Sequence, residues 1–308
     1  MHIRIGTRGS KLALWQANYV ADLLQKGGAT TELVMVETKG DKILNKALSK
    51  IGSKGVFTEE LEEHLRQKEV DIAVHSAKDV QSTLPDDLEL IAFSEREEVH
   101  DVLISFNTDA RLDTFNSSYI IGTSSTRRVA QLKHYYPKIR TADVRGNLQT
   151  RMKKLEKGNY DALILAYAGV HRMGFSKYIV EDLSPQKFIP AVGQGCVAIE
   201  AAKDLNSDKV AMIRQCVNDK KTEQCLRAER SFLKTLEGGC SIPVFGLARI
   251  KKNQIDLNGG IISLNGQDLV KQQAKGALND GVNIGKQLAE RILQDGGEEI
   301  LSEIKANL

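Results

Sequence analysis

The chain has 308 residues, of which 41% are hydrophobic, and its net charge is only +3. This length suits about two domains, or three small ones, and the weak charge argues against a general polyanion binder. No apolar run approaches the length of a membrane span. Because a strand-like pattern follows the first methionine directly, we expect no signal peptide, a cytoplasmic protein and reduced cysteines.

The first residues alternate between strand and helix patterns. Residues 3–7 predict a strand, Ser10 is expected to cap a helix, and residues 33–36 predict the next strand. Arg8 and Ser10 lie beside the predicted helix N-terminus, where a guanidinium, a hydroxyl and free N–H groups can bind an anion. An ordinary polar turn is the alternative. Thr58 is expected to cap a second helix.

Residues 39–57 are rich in lysine and glycine and show no strong periodicity. A long connection of this kind is typical of a lid over a ligand site, but also of a surface loop without a role. The lid interpretation assigns Lys50 and Lys54 to attracting an anion, and Phe57 to anchoring the end of the loop.

The stretch around Asp79 combines a buried strand with a polar end. Residues 72–74 are apolar and predict a strand, which the polar residues 75–79 then interrupt. In open α/β sheets, ligands gather outside the carboxyl ends of the strands. Asp79 is therefore the acid best placed to face a ligand, with Lys78 beside it. A solvated Lys–Asp pair is the alternative interpretation.

A charge run at residues 95–98 marks the crossing to a second α/β unit, whose predicted strands end in glycine turns with an arginine nearby. Arginine forks match carboxylates or phosphates, and hydroxyls at helix starts complete such sites. Phosphate, nucleic acid and polycarboxylates all fit, although few aromatic residues disfavour nucleic acid. A solvated basic helix face is the alternative and explains the nearby lysines well, so the anion-site interpretation applies only to residues beside the glycine turns. The candidate residues are Thr123, Ser124, Ser125, Arg127, Arg128, Arg145 and Arg151, with only Asp143 and Glu156 as acids between residues 127 and 157.

The remainder predicts a hinge at residues 190–195, a strand at 196–199 that returns to the first unit, and a small α+β domain with three alternating strands. Two α/β lobes with crossed connections and a central cleft resemble a periplasmic-binding-protein architecture. We therefore expect an α/β fold with domain 1 at residues 1–95 and 195–215, domain 2 at 96–194, and domain 3 at 216–308.

Cys240 differs from the other three cysteines in its surroundings. Two glycines precede it and a proline follows shortly after, which predicts a tight, exposed loop. Cys216 and Cys225 lie in helical patterns, where cysteine is usually a small core residue, and Cys196 begins an apolar run. Cys240 is therefore the candidate nucleophile or attachment point. The cysteine spacing fits no zinc site, and we expect no metal.

Seven unusual stretches occur in a fixed order along the chain. They are Thr7-Arg8-Gly9-Ser10 with Leu14-Trp15-Gln16, Lys54-Gly55-Val56-Phe57, His75-Ser76-Ala77-Lys78-Asp79-Val80, Gly122-Thr123-Ser124-Ser125-Thr126-Arg127-Arg128, Arg145-Gly146-Asn147, Pro190-Ala191-Val192-Gly193-Gln194-Gly195 and Glu237-Gly238-Gly239-Cys240. Taken together, these motifs resemble one known family, the porphobilinogen deaminases, also called hydroxymethylbilane synthases, over nearly the whole chain.

The resemblance implies a transferase that joins four porphobilinogen molecules, releasing ammonia each time, into the linear tetrapyrrole hydroxymethylbilane. It implies one dipyrromethane cofactor per chain, bound as a thioether to Cys240, and a catalytic role for Asp79. By the same resemblance, the cofactor and substrate sites are lined by Arg8, Ser10, Lys78, Thr123, Ser124, Ser125, Arg127, Arg128, Arg145, Arg151, Arg172 and Gln194.

Some positions depart from the family pattern. Ala77 stands where the family usually has Met, Gln81 where it usually has Pro, and Val99-His100 replaces a common Pro-Arg pair. The departures leave open the rigidity of the turn after Asp79.

The alternative function is a cytosolic, two-lobed protein that binds an organic anion without catalysis. We expect a monomer with porphobilinogen as its partner, and neither a nucleic acid nor a membrane partner.

Overall fold

The computed structural model describes residues 1–42, 58–239 and 241–307. Predictions for the lid residues Lys50, Lys54 and Phe57, and for Cys240, lie outside the described residues. The chain divides into two compact units, which are described separately below. The first comprises residues 1–42, 58–97 and 195–223, and the second comprises residues 98–194, 224–239 and 241–307.

Strands and helices alternate through most of the chain. The described strands are β1 (His2–Arg8), β2 (Thr30–Val36), β3 (Ile72–Ser76), β4 (Leu88–Phe93), β5 (Asp101–Ile104), β6 (Ile120–Gly122), β7 (Arg140–Ala142), β8 (Ala162–Ala166), β9 (Ile179–Leu183), β10 (Val197–Ala202), β11 (Val244–Lys251), β12 (Gln254–Ile262) and β13 (Leu269–Ala277). The described α-helices are α1 (Lys11–Lys26), α2 (Lys39–Lys42), α3 (Glu59–Arg66), α4 (Thr126–Tyr135), α5 (Leu148–Glu156), α6 (Tyr167–Arg172), α7 (Ser207–Val217), α8 (Lys220–Thr235), α9 (Gly281–Ile292) and α10 (Glu298–Ala306).

The first unit is built on a five-stranded sheet with the order β2-β1-β3-β10-β4. Strands β2, β1 and β3 run parallel, whereas β10 runs antiparallel to both of its neighbours. Helix α1 buries Val20 and Leu24 in the core that the sheet forms with Ile3 and Ile5. The hydroxyl of Ser10 accepts a hydrogen bond from the backbone N–H of Ala13, which confirms the predicted helix cap.

The capping prediction for Thr58 is wrong. Thr58 precedes α3, but its side chain makes no capping hydrogen bond to that helix. The hydroxyl instead accepts a hydrogen bond from Nε2 of Gln81 at 3.2 Å. One partner of this side chain is therefore a residue distant in sequence, which a local capping rule does not foresee.

The second unit contains a five-stranded sheet of the same type, with the order β7-β6-β8-β5-β9. Strand β6 is parallel to β7 and β8, and β5 is antiparallel to both β8 and β9. In each of these two sheets, the antiparallel fourth strand is the first strand after the chain crosses from one unit to the other. The crossings include the charge run at residues 95–98 and the turn at 190–195, so the predicted return of β10 to the first sheet is confirmed.

The second unit also contains an antiparallel sheet with the order β11-β12-β13, as the alternating pattern predicted. Phe232 of α8 packs closely against this sheet, because a Cβ atom on Gly259 would lie 2.6 Å from its ring. A glycine at this position therefore lets the strand approach the aromatic side chain. The fold class of two α/β sheets plus a small α+β part is confirmed, while the three-domain boundaries stay a prediction.

None of the helices in the described ranges is long and apolar enough to cross a membrane.

Sequence patterns missed two strands, β5 and β9, which are only 4 and 5 residues long. Both belong to the second sheet, where they pair with each other. The omission matters because β5 begins with Asp101, whose role in the candidate site was not foreseen.

Candidate functional site

In the first unit, four predicted site residues lie at one edge of the sheet. Strands β1 and β3 are parallel neighbours, so their carboxyl ends lie side by side. Arg8 ends β1 and Ser10 caps α1, while β3 continues into the 3₁₀ turn Ala77–Asp79. Asp79 is exposed and Lys78 is half-buried. The structure therefore places these residues at the edge where ligands bind in such sheets.

Hydrogen bonds fix the start of the Asp79 turn. Nε2 of Gln16, on α1, donates to Oγ of Ser76 at 2.9 Å. The backbone N–H of Ala77 donates to the carbonyl of Cys196, just before β10, at 2.9 Å. Gln16 lies on the packed helix α1, and Cys196 directly precedes a strand of the sheet. These two hydrogen bonds therefore hold the start of the turn that carries Asp79.

In the second unit, Thr123 to Ser125 form the turn between β6 and α4. The N–H of Thr123 donates to the carbonyl of Ala142 at 2.9 Å. Oγ of Ser124 donates to the carbonyl of Val144 at 2.7 Å and accepts from its N–H at 3.0 Å. Ser125 caps α4. These bonds join the ends of β6 and β7 and place the turn at the carboxyl edge of the sheet.

Arg145 and Arg151 lie around the next strand-end turn along that edge. Gly146, between β7 and α5, has a φ of +108°, and a Cβ there would lie 2.6 Å from Cγ2 of Thr150. Glycine is therefore required for this turn. Nε of Arg151 donates to the carbonyl of Gly146 at 2.8 Å, which orients its guanidinium. Both arginines are half-buried.

Arg172 occupies the corresponding place after the third parallel strand. It is the last residue of α6, which begins directly after β8, and it is half-buried. Since β7, β6 and β8 are parallel neighbours, their carboxyl ends share one edge. Predicted site residues thus follow all three parallel strands of this sheet.

Arg127, Arg128 and Gln194 converge on a buried carboxylate, Asp101, which is 0% exposed. Nη2 of Arg127 lies 2.7 Å from Oδ2 of Asp101, and Nη2 of Arg128 lies 2.7 Å from Oδ1. Nε2 of Gln194 donates to the same Oδ1 at 2.9 Å. Although burial alone raises the pKa of Asp101, the two guanidinium groups hold it well below its usual range.

This network corrects one expectation from the sequence, that the arginines have little neutralising acid nearby. The acids considered from the sequence lay between residues 127 and 157, whereas the acid that neutralises Arg127 and Arg128 is Asp101 on β5. Its signal was an aspartate at the start of the apolar run 102–104, where a buried carboxylate requires a cationic partner. Arg127 and Arg128 are only 4% and 6% exposed, and their contact with a ligand stays a prediction.

The buried arginines nevertheless keep donor capacity. Nη1 of Arg127 donates to the carbonyl of Ile189, and Nη1 of Arg128 to that of Ile164, each at 3.0 Å. Within the described part of the chain, the Nε atoms of both arginines are buried without a hydrogen-bond partner. Leaving a buried donor unsatisfied costs free energy, and donation from these atoms to a bound anion stays a prediction.

Solved structures that align with this chain include two binding proteins, both at low sequence identity. A crystal structure of the methionine-binding protein MetQ aligns with a TM-score of 0.44 at 13% identity, covering 70% of this chain and 89% of that chain. A substrate-binding domain of a putative amino acid ABC transporter from Streptococcus pneumoniae aligns with a TM-score of 0.43 at 10% identity, covering 70% and 91%.

Sequence comparisons give much closer matches. The relative from Desulfosudis oleivorans named porphobilinogen deaminase is 51% identical over 305 residues, covering 99% of this chain and 98% of the relative. The relative of the same name from Cytophaga hutchinsonii is 53% identical over 308 residues, with the same coverage. The family model for the "dipyromethane cofactor binding domain" of porphobilinogen deaminase matches residues 3–210, and that for its C-terminal domain matches residues 223–294. The chain therefore belongs to the porphobilinogen deaminase family.

Proposed function

We propose that this chain joins four porphobilinogen molecules, with loss of ammonia at each addition, into the linear tetrapyrrole hydroxymethylbilane. The observation that carries this proposal is the match of a cofactor-binding deaminase domain over residues 3–210, supported by relatives of that name across nearly the full chain. We also propose, from the sequence, that the enzyme works in the cytoplasm as a monomer without a nucleic-acid partner.

The described residues fit a dipyrromethane cofactor, whose carboxylate side chains need several cationic and N–H donors. The buried Nε atoms of Arg127 and Arg128 are donors of this kind, and the start of α4 adds the hydroxyls of Thr123 and Ser125. When bound, the cofactor supplies the pyrrole end to which substrate units are added.

We propose Cys240 as the attachment point, although it lies outside the described residues. The other cysteines suit attachment less well. Cys196 and Cys225 are buried. Cys216 is half-buried in α7, where its Sγ packs so closely against Gly27 that a Cβ there would lie 2.3 Å away. A thioether to any of these three would displace packed side chains.

For Asp79 we propose electrostatic stabilisation of the substrate. Loss of ammonia leaves positive charge on the pyrrole, and a fixed carboxylate stabilises that charge as it develops. Asp79 is exposed at the sheet edge, so its oxygens can also accept hydrogen bonds from pyrrole N–H groups. We propose that Lys78, Arg8 and Ser10, at the same edge, bind the carboxylates of the same substrate.

The half-buried arginines provide a separate test of carboxylate binding. We expect Arg145→Lys and Arg151→Lys to raise the KM for porphobilinogen about tenfold, because lysine keeps the charge but loses the planar fork. Arg140→Lys is the matched control, since Arg140 is an exposed arginine of β7 in the same unit. Enzyme–substrate intermediates are separated and weighed for each variant. A wild-type KM and a wild-type pattern of intermediates in both variants would contradict this assignment.

The proposed activity itself is tested by incubating the purified chain with porphobilinogen and measuring ammonia and the tetrapyrrole product by mass spectrometry. We expect four porphobilinogen molecules to be consumed for each hydroxymethylbilane released. Binding of porphobilinogen without release of ammonia would instead favour the alternative, an organic-anion-binding protein without catalysis.

A further inference from the structure

The end of the Asp79 turn has its own anchor, distinct from the bonds that fix its start. Asp79 is followed by Val80, which is buried, and by Gln81, which is half-buried. Nε2 of Gln81 lies 3.2 Å from Oε1 of Glu62 and 3.2 Å from Oγ1 of Thr58. The amide thus reaches from the turn to the start of α3, where it donates to Thr58, directly before the helix, and to Glu62 within it.

The anchor is itself immobile, because α3 is packed into the first unit. Leu61 and Leu65 of this helix are 0% and 1% exposed and pack in a cluster with residues of the sheet. Glu62 is only 4% exposed, so its carboxylate has little freedom to move. A hydrogen bond to such a group restricts the turn more than one to a mobile surface side chain would.

A second buried pair fixes the strand that leads into the turn. His75, near the end of β3, has its Nε2 3.0 Å from Oε2 of Glu200 on the adjacent β10, and both side chains are buried. Burial raises the pKa of Glu62 above its usual value and nearby Glu200 adds to the rise, whereas a hydrogen bond from Thr58 and the charges of Arg66 and His75 oppose it. Buried polar side chains therefore hold both the strand that leads to Asp79, through His75 and Glu200, and the helix to which Gln81 donates, through Glu62.

We infer that Gln81 is a positioning residue for Asp79, which holds the end of the turn against α3 by donating to Glu62 and Thr58. The inference rests on the proposed function, because that proposal assigns Asp79 its catalytic role. Gln81 contacts no reacting atom in this account. It acts by limiting the range of positions that the Asp79 carboxylate samples, and even small misplacements of a catalytic group reduce rate strongly.

The test compares Gln81→Ala with Gln67→Ala. Gln67 is a matched control because its Nε2 donates to Glu63, also on α3, at 2.7 Å, but at an exposed site at the opposite end of that helix. We expect Gln81→Ala to lower kcat about tenfold with little change in KM or melting temperature, and to accelerate amide hydrogen exchange in residues 77–81. Gln67→Ala should match the wild type in all four measurements.

A rescue variant separates restraint of the turn from a general packing effect. Val80 has φ −77° and ψ 135°, the extended backbone that a residue before proline requires. The backbone before position 81 therefore tolerates a proline, whose ring fixes φ without the amide, and we expect Gln81→Pro to recover part of the lost kcat.

The outcomes distinguish this inference from the proposed function. If Gln81→Ala has a wild-type kcat while Asp79→Asn is inactive, the inference is wrong and the function stands. A lower melting temperature without the loss of kcat would also overturn it, because Gln81 would then serve stability alone. If the wild-type protein itself forms no tetrapyrrole, the proposed function fails, and the hydrogen-exchange comparison still shows whether Gln81 restrains the turn.

Discussion

Replacing Asp79 with asparagine is expected to lower the turnover of porphobilinogen by a factor of about 10²–10³. The substitution keeps the shape of the side chain and removes the negative charge that would stabilise the cationic pyrrole. Asp79 is exposed at the end of a 3₁₀ turn, so the melting temperature should hardly change. Turnover is measured at saturating substrate, and thermal unfolding is followed on the same preparation.

Asp86→Asn is the matched control for this experiment. Asp86 is also exposed, and it lies in the connection from the same turn to β4. Both substitutions remove one negative charge from the same region of the first unit, so a general electrostatic effect on substrate attraction would appear in both. Near-normal turnover in Asp79→Asn, or an equal loss in Asp86→Asn, would contradict the role assigned to Asp79.

The largest effect on stability is expected for Asp101→Ala. The substitution leaves the buried guanidinium groups of Arg127 and Arg128 without their shared counter-ion. Removing one partner from a buried ion pair typically costs about 3–5 kcal/mol in the free energy of unfolding. Chemical denaturation of the variant and the wild type measures this difference directly.

The pH dependence of stability gives a second measurement of the same network. Because the folded-state pKa of Asp101 lies below its unfolded value, its stabilisation is fully present above the unfolded pKa, near 4, and is lost as the pH falls through the folded pKa. Asp101→Asn should therefore lose stability less steeply than the wild type in acid.

Asp87→Ala provides the comparison for Asp101→Ala. Oδ2 of Asp87 lies 2.6 Å from Nε of Arg66, but its side chain is 53% exposed, and surface ion pairs contribute little to stability. We expect a much smaller change in the denaturation midpoint than for Asp101→Ala. Equal midpoints for the two variants would show that the buried network does not contribute as described.

Regular local patterns made much of the fold predictable. The alternation of apolar and polar residues predicted β11, β12 and β13, because a sheet with one covered face favours that pattern, and burial alternates in this way along most of β13. Ser10 predicted the start of α1, because a helix cap depends on a few neighbouring residues. Strand-end positions also placed Asp79 and Arg145 at sheet edges, since the carboxyl ends of parallel strands share an edge.

Interactions between distant residues were not predictable in the same way. Asp101 neutralises arginines 26 and 27 positions later, and Gln81 donates to residues 19 and 23 positions earlier. No local rule brings such groups together, because only the completed sheet and its helices do so. The sequence left open how rigid the turn after Asp79 is, because Gln81 stands where the family usually has Pro. In the structure, Gln81 donates hydrogen bonds to Thr58 and Glu62, which we infer restrain this turn.

The central claim, a pyrrole primer carried by Cys240, is tested most directly by the intact mass of the purified protein, followed by peptide mapping. We predict that the wild type exceeds its polypeptide mass by two pyrrole units and that the excess maps to Cys240. Cys240→Ser should lose it, whereas single serine replacements of Cys196, Cys216 and Cys225 should keep it. A wild-type mass equal to that of the bare polypeptide, or pyrroles attached to any other cysteine, would contradict this account.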